Sequence, residues 1–353
     1  MSPRARRLGL LLAAGLAAAT LLPSCGARYV MVSAAYQAEM LARREPVDDL
    51  LASGALSAGE EQRLRLFQEV KAFGRDIGLS ATDNYSGYSR TWTRTIWNVS
   101  ACPPLSFQPR TWWFPIVGTV PYLGYFSDEE AHTARVRLEA EGYEVHMRVV
   151  NAYSTLGWFQ DPILPAMMSW TEPQVVETVL HELAHATLWI PGSVAFNESF
   201  ANVVGQAAGD QFLVHKYGQD SAELASAREA DADWLAFRDI LQGLYAELDA
   251  VYTSSLADTE KSRRKEELYA SLDDRVLASP IRNKARYLQV VRTQAWNNPR
   301  LMQFRTYNSG EAEFAALMAG CDGDIPTFIT RVREITRGPD DPFAALRGAV
   351  TVP

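Results

Sequence analysis

The sequence predicts an α+β fold, with a small mixed sheet in its N-terminal half and a mostly helical C-terminal half. Residues 85–126 are rich in tryptophan, tyrosine, threonine and proline, which favour short strands interrupted by turns. Residues 143–150 alternate between apolar and polar side chains, as a strand does. From Glu172 onward the pattern is mostly helical. Hydrophobic residues make up 47% of the 353-residue chain, which is enough for a substantial core.

The N-terminus has the features of a bacterial export signal. Several arginines precede an apolar stretch over residues 8–22, which is short for a membrane-spanning helix and typical of a signal-peptide core. Residues 22–25 resemble a lipobox. We interpret residues 1–24 as a lipoprotein signal peptide, whose removal leaves Cys25 as a lipidated first residue. The alternative is an ordinary cleaved signal followed by an incidental cysteine.

This interpretation places the mature chain in the bacterial cell envelope, lipid-anchored through Cys25 and facing the periplasm. Gly26 follows the cysteine, whereas an aspartate at that position retains some lipoproteins at the inner membrane, so the outer membrane is preferred. The net charge of −8 argues against a nucleic-acid partner, because phosphate binding needs a basic surface.

We predict a single unit over residues 25–353, with a mixed α/β part over residues 25–170 and a helical part over residues 171–353. The periodicity predicts helices in the first part over residues 29–44, 59–78 and 127–141. The aromatic residues of the strand region fit a sheet packed on its own helices or a carbohydrate-binding surface. The sequence leaves open whether Cys102 and Cys321 pair.

Residues 181–185 read His-Glu-Leu-Ala-His, an HExxH motif, within a predicted helix. Thr171 is a good N-cap with a glutamine three positions later, and Pro191-Gly192 is a stop signal. On such a helix His181 and His185 lie one turn apart on one face, where two imidazoles can share a tetrahedral metal ion. Glu182 lies about 100° round the helix from His181, beside the metal and within reach of a water molecule.

A catalytic metal site needs a third protein ligand and keeps a fourth position for water. Glu198 follows His185 by thirteen positions and lies near the start of a second predicted helix, which runs to about Tyr217. A tight reversal between the two helices returns Glu198 to the height of His185. Asn202, one turn further, is then a candidate to orient a ligand histidine.

In this hypothesis Glu182 is the general base of a metal-assisted hydrolysis, taking a proton from water and delivering it to the leaving amine. The tetrahedral intermediate needs one more donor. Tyr307 and His215 are candidates, as are Tyr217 and Tyr252, and for each a packing role is the alternative.

These residues resemble the glutamate zincins, in which HExxH and a downstream NExxA-type glutamate bind zinc. More narrowly, the chain is similar to a family of bacterial putative aminopeptidase lipoproteins across nearly the whole mature chain. Besides the lipobox, the matching segments are WNV at 97–99, TWWFPIVG at 111–118, AYSTLGWFQDPIL at 152–164, HELAHATLW at 181–189, FNESFA at 196–201 and NN at 297–298.

The resemblance implies a zincin-like fold, a peptidase activity on peptide substrates, one Zn²⁺ per chain and placement in the cell envelope. In zincins an edge strand before the HExxH helix pairs with the substrate backbone. By that analogy the substrate-binding segment is Tyr153, Ser154, Thr155, Leu156 and Gly157, and a structural turn is the alternative. The interval between His185 and Glu198 is shorter than in thermolysin-like enzymes, so their substrate contacts are not transferred.

Several functions therefore remain open at the level of sequence. The first is a zinc aminopeptidase, and the second is a zinc endopeptidase or oligopeptidase with the same chemistry. The third is a non-catalytic envelope lipoprotein with a vestigial or structural metal site, against which the presence of Glu182 argues. The fourth is a sugar-binding lipoprotein that uses the tryptophan-rich segment.

Overall fold

The computed structural model describes residues 25–114, 118–150, 160–306, 310–338 and 341–350. The predicted signal segment therefore lies outside the described residues. The fold is a mixed α+β structure, 65% helical with small sheets, so the predicted fold class is confirmed at this level. Within the described ranges, no helix is both long and apolar enough to cross a membrane.

The helices of the described residues are α1 (Cys25–Ala42), α2 (Val47–Ser53), α3 (Ala58–Asp76), α4 (Asp128–Ala140), α5 (Glu172–Thr187), α6 (Val194–Tyr217), α7 (Ala222–Thr253), α8 (Asp258–Ala270), α9 (Leu272–Ala278), α10 (Lys284–Thr293), α11 (Asn298–Thr306), α12 (Glu311–Ala319), α13 (Ile325–Ile335) and α14 (Pro342–Val350). A 3₁₀ helix covers Pro165–Ser169. The strands are β1 (Glu45–Pro46), β2 (Gly87–Tyr88), β3 (Ile96–Cys102), β4 (Trp112–Phe114), β5 (Gly118–Val120), β6 (Tyr122–Tyr125) and β7 (Glu144–Val150).

The main sheet is antiparallel with strand order β6-β3-β7, so β7 is an edge strand. Along each strand, successive side chains alternate between the two faces of this sheet. The outer face packs on α4, where Val99 and Ala101 meet Ala131 and Leu138. The inner face turns towards the helices of the second half. The two other strand pairs are the short ladders β1-β2 and β4-β5.

Two hydrophobic clusters hold the helices together. The larger cluster joins α3, α5, α6 and the C-terminal helices α12 to α14, and Phe67, Leu180, Phe200 and Phe328 lie at its centre. The second cluster joins α7 to α11 around Phe237. Helix α3, which precedes the main sheet in the sequence, packs directly on α5. The N-terminal part of the chain therefore supports the helix that carries the HExxH motif.

Several boundaries differ from the sequence expectations. The first helix ends at Ala42, and a short additional helix, α2, follows it before α3. Helix α5 ends at Thr187, before Pro191-Gly192, and the Thr187 hydroxyl accepts a hydrogen bond from Ser80 N at 2.8 Å. Cys102 and Cys321 are both buried free thiols.

Candidate metal centre

Helix α5 begins with a complete capping box. The Thr171 side chain accepts a hydrogen bond from Gln174 N, and the Gln174 side chain accepts one from Thr171 N at 2.9 Å. Val176, Leu180 and Leu183 bury one face of the helix in the larger core. The cap and the buried face fix the direction of the helix axis and the rotation of the helix about it. His181 and His185 lie one turn apart on this helix, with ring centroids 4.6 Å apart and ring planes at 90°.

The chain then reverses through residues 188–193 into α6. Asn197, 1% exposed, holds this turn with both ends of its amide: Oδ1 accepts from Ile190 N and Nδ2 donates to Ile190 O, each at 2.8 Å. The two helices run antiparallel in close contact. At their far end Tyr217, the last residue of α6, donates its hydroxyl to the Glu172 carboxylate at 2.9 Å. Asn197 was not singled out from the sequence, although it adjoins Glu198.

The hairpin brings His181, His185 and Glu198 together, with one potential ligand atom from each lying within 4.8 Å of the others. His181 Nε2 is 3.5 Å from Glu198 Oε2, and His185 Nε2 is 3.6 Å from Glu198 Oε1. Ligand atoms placed tetrahedrally about 2.0–2.1 Å from a zinc ion lie roughly 3.3 Å apart. Two imidazoles and one carboxylate at these separations fit Zn²⁺, and the set leaves a coordination position for water.

The electrostatics of this group keep its carboxylate ionised. Burial on its own raises the pKa of Glu198, but hydrogen bonds from His181 and His185, and the charges of both rings, lower it to about 2. Burial lowers the pKa of His181, but the hydrogen bond that His181 donates to Glu198, together with the charges of Glu182 and Glu198, outweighs burial, so the net shift is upward. An ionised carboxylate facing two imidazoles has the charge and the donor atoms that suit a cation.

Asn202 lies one turn beyond Glu198 on α6, and its side-chain hydrogen bond to His181 contributes to the raised pKa of that imidazole. It therefore helps to fix the orientation of that imidazole. In contrast, Nδ1 of His185 is shielded from solvent and has no hydrogen-bond partner in the described part of the chain. The ring of His185 packs edge-on against Trp189, with centroids 5.4 Å apart.

Glu182 is half-buried at the side of the His181–His185 face. The charge of Glu182 affects the pKa of Tyr85. Burial is the main reason that the pKa of Tyr85 lies well above its usual value, and the charges of Glu182 and Asp161 raise it further. Tyr85 is 1% exposed, has a left-handed backbone with φ of 58°, and its hydroxyl has no hydrogen-bond partner among the described residues. Sequence reasoning missed this residue, because a lone tyrosine in a turn-rich segment has no diagnostic spacing.

The structure separates the other donor candidates from the metal group. His215 lies 17 positions after Glu198 on the same helix, about 25 Å along its axis. Its ring packs on Phe73, and it lines a surface pocket with Arg228. Tyr252 is buried in the second core and donates to Asn298 Oδ1 at 2.8 Å. His215 is therefore far from His181 along the helix, and Tyr252 belongs to a different hydrophobic cluster from the one that contains α5.

The remaining candidates are Tyr217, Tyr307 and the segment predicted to bind substrate. Tyr217 is committed to Glu172 at the opposite end of the helical hairpin. Tyr307 and the residues Tyr153, Ser154, Thr155, Leu156 and Gly157 lie outside the described residues.

Comparison with protein families assigns the chain to one family. A family model described as putative aminopeptidase matches residues 28–344. The chain belongs to this putative aminopeptidase family, and membership supports a peptidase-like function. Comparisons with curated proteins and with solved structures find no match.

Proposed function

We propose that the protein is a zinc-dependent metallopeptidase of the glutamate-zincin type, and more specifically an aminopeptidase. His181, His185 and Glu198 are its metal ligands, and Glu182 is its general base. The observation that carries the proposal is the convergence of two imidazoles and one ionised carboxylate at ligand separation on a helical hairpin. Family membership supplies the peptide as substrate.

A zinc ion at this position would polarise a scissile carbonyl and lower the pKa of a water molecule. The chain supplies the rest of the chemistry. Glu182 follows His181 directly on the helix, so its carboxylate faces the space beside the ligand atoms rather than among them. There it accepts the proton of the attacking water and returns it to the leaving amine. Asn202 holds the ring of His181 in place during both transfers.

A mixed peptide library, part of it N-terminally blocked, tests the activity when incubated with the zinc-loaded protein lacking residues 1–25. The matched control is Glu182→Gln, which retains the metal ligands and loses the general base. Loss of single N-terminal residues from unblocked peptides only, absent in the control, supports the aminopeptidase. Internal cuts that are absent in the control support an endopeptidase instead. No cleavage by zinc-loaded protein favours a non-catalytic lipoprotein.

We also propose that the mature chain is anchored in the bacterial cell envelope by lipid at Cys25, facing the periplasm. The support is the apolar stretch over residues 8–22, which stops just before the cysteine. Mass spectrometry of the N-terminal peptide from membrane-extracted protein tests this. Acyl groups on Cys25, absent after Cys25→Ala, are expected, whereas an unmodified cysteine with an earlier cleavage site contradicts the anchor.

A further inference from the structure

The inner face of the main sheet carries a ladder of polar side chains. Along β7 these are Glu144, His146 and Arg148, and across from them on β3 stand Cys102, Ser100 and Asn98. The next rung of the same face, Ile96 with Val150, packs in the larger core that contains α5. The polar rungs therefore begin one step, roughly 7 Å, from the core that holds the HExxH helix.

Two donors on this ladder have no acceptor. Ser100 is 7% exposed and its hydroxyl is shielded from solvent without a partner, and the same is true of Nε of the half-buried Arg148. Buried donors normally have acceptors, because leaving one unpaired costs about 1–3 kcal/mol. Among the described residues, no carboxylate forms an ion pair with Arg148, and Glu144 of the same ladder pairs with Lys265 instead.

A second cation, Arg300, lies within electrostatic reach of His146 on the ladder. Arg300 of α11 stacks on Trp296, with its guanidinium carbon 3.9 Å from the ring centroid, and donates to Gln294 O at 2.6 Å. Trp296 and the carbonyl of Gln294 are neutral, so neither of them neutralises the charge of Arg300. Burial first, and then the charges of Arg300 and Arg148, lower the pKa of His146 to about 4. The lone carboxylate of the ladder, Glu144, is already engaged by Lys265.

The row of residues that contains Arg148 and Asn98 has open space at its other end, on β6. Gly124 of β6 stands directly opposite Asn98, so a side chain there would point to the inner face. Around the place of a Cβ at this glycine there is no atom within 4 Å. Asn98 itself is held by Gln303 of α11, at 3.0 Å, and so presents a fixed wall to this space.

We propose that Arg148 and Ser100 form a subsite for a carboxylate group of the peptide substrate. This inference rests on the proposed peptidase function and specifies it further: the enzyme would prefer peptides with a carboxylate placed to reach β7. Arginine suits this role because its fork of donors matches a carboxylate in two parallel hydrogen bonds. A C-terminal carboxylate and an acidic side chain present the same chemistry, and the experiment below separates them.

Binding is measured by calorimetry on the full zinc-loaded chain carrying Glu182→Gln, so that turnover is not needed. The probes are Ala-Ala-Ala, its C-terminal amide, and the amides of Ala-Glu-Ala and Ala-Gln-Ala. The free acid is expected to bind about tenfold more tightly than its amide if the subsite takes a C-terminus. If it takes an acidic side chain, that preference appears between the glutamate and glutamine peptides instead.

When Arg148→Gln is added to the Glu182→Gln chain, we expect the preference for the carboxylate-bearing probe, whichever probe that is, to disappear. Arg137→Gln is the matched control, because Arg137 is an exposed arginine on α4 at the outer face of the same sheet. Equal binding of all four probes, or a preference unchanged by Arg148→Gln, overturns the inference even if the library shows cleavage. If no peptide binds, succinate titrated into the wild-type chain decides. If succinate raises the thermal midpoint of the wild type but not that of Arg148→Gln, the subsite is retained although the peptidase function is not supported. If succinate raises neither midpoint, the subsite is overturned.

Discussion

Asn197 and Ile190 are joined by two hydrogen bonds of 2.8 Å, in which one side-chain amide satisfies both the N–H and the C=O of a single residue. This contact closes the turn between α5 and α6. Since Glu198 is the next residue, the position of its carboxylate relative to His185 depends on this turn.

Replacing Asn197 with alanine should therefore loosen the metal group. The N–H of Ile190 loses its partner and the C=O of Ile190 keeps only the 3.3 Å hydrogen bond from Ser193 N, which we expect to cost about 2 kcal/mol in the free energy of unfolding. Zinc affinity should fall by about tenfold or more, as for other residues that orient ligands. Chemical denaturation and zinc titration measure the two effects. Val194→Ala, at the exposed first residue of α6, is the control and should change neither. Equal losses in both variants would contradict the role of Asn197.

Metal removal should lower the stability of the wild-type protein. A ligand that binds only the folded state stabilises it by about 2.7 kcal/mol at a concentration 100 times its Kd. We therefore expect a chelator to lower the thermal midpoint of the wild type and to leave that of Glu198→Gln unchanged. Glu177→Gln, also on α5 but outside the ligand group, is the control and should respond as the wild type does. A chelator effect that persists in Glu198→Gln would place the metal elsewhere.

Gly205 sets the distance between the two helices beside the metal group. A Cβ at this position would lie 3.3 Å from Glu177 O and from both N and Cβ of His181. Because backbone atoms cannot move aside easily, Gly205→Ala should destabilise the fold by about 1–3 kcal/mol and weaken zinc binding.

Gly209 is one turn further along α6, where the nearest atom to an added Cβ is 3.8 Å away. Gly209→Ala should be neutral or stabilise by up to about 1 kcal/mol, since alanine is the better helix former. Thermal and chemical denaturation of the two variants compare them directly. If Gly205→Ala proves as stable as Gly209→Ala, the close approach of the helices is not what requires a glycine.

His146 should make stability depend on pH. Burial, with Arg300 and Arg148, lowers its folded-state pKa to about 4, whereas an unfolded histidine titrates near 6.5. The unfolded chain therefore binds a proton first, and stability present above pH 6.5 is lost as the pH falls towards 4. At pH 5 the loss is about 2 kcal/mol.

Chemical denaturation at pH 7.5 and at pH 5 measures how much the free energy of unfolding falls between the two values, and this difference is the pH slope of stability. His146→Gln should reduce it, and His132→Gln, which changes an exposed histidine on α4, should leave it as in the wild type. The same slope in all three proteins would show that His146 does not titrate as described.

The sequence alone determined the features that depend on neighbours within a few positions. The N-cap Thr171, the periodicity after it and the four-residue spacing of His181 and His185 are local, and local propensity decides them. The second helix and Glu198 near its start followed from the same kind of signal. The short strands and the helical second half were also predictable, because their composition and alternation are properties of contiguous segments.

The tertiary structure decided what depends on residues distant in sequence. The last residue of helix α5, Thr187, is joined to Ser80, 107 positions away, which donates to its hydroxyl. The strained Tyr85 beside Glu182 has no sequence signature, since only packing brings them together. The charges gathered at Arg148 arise because β3, β7 and α11 meet in space. Long-range contacts of this kind form by burial of surfaces that no local pattern identifies, so they become visible only once the chain is folded.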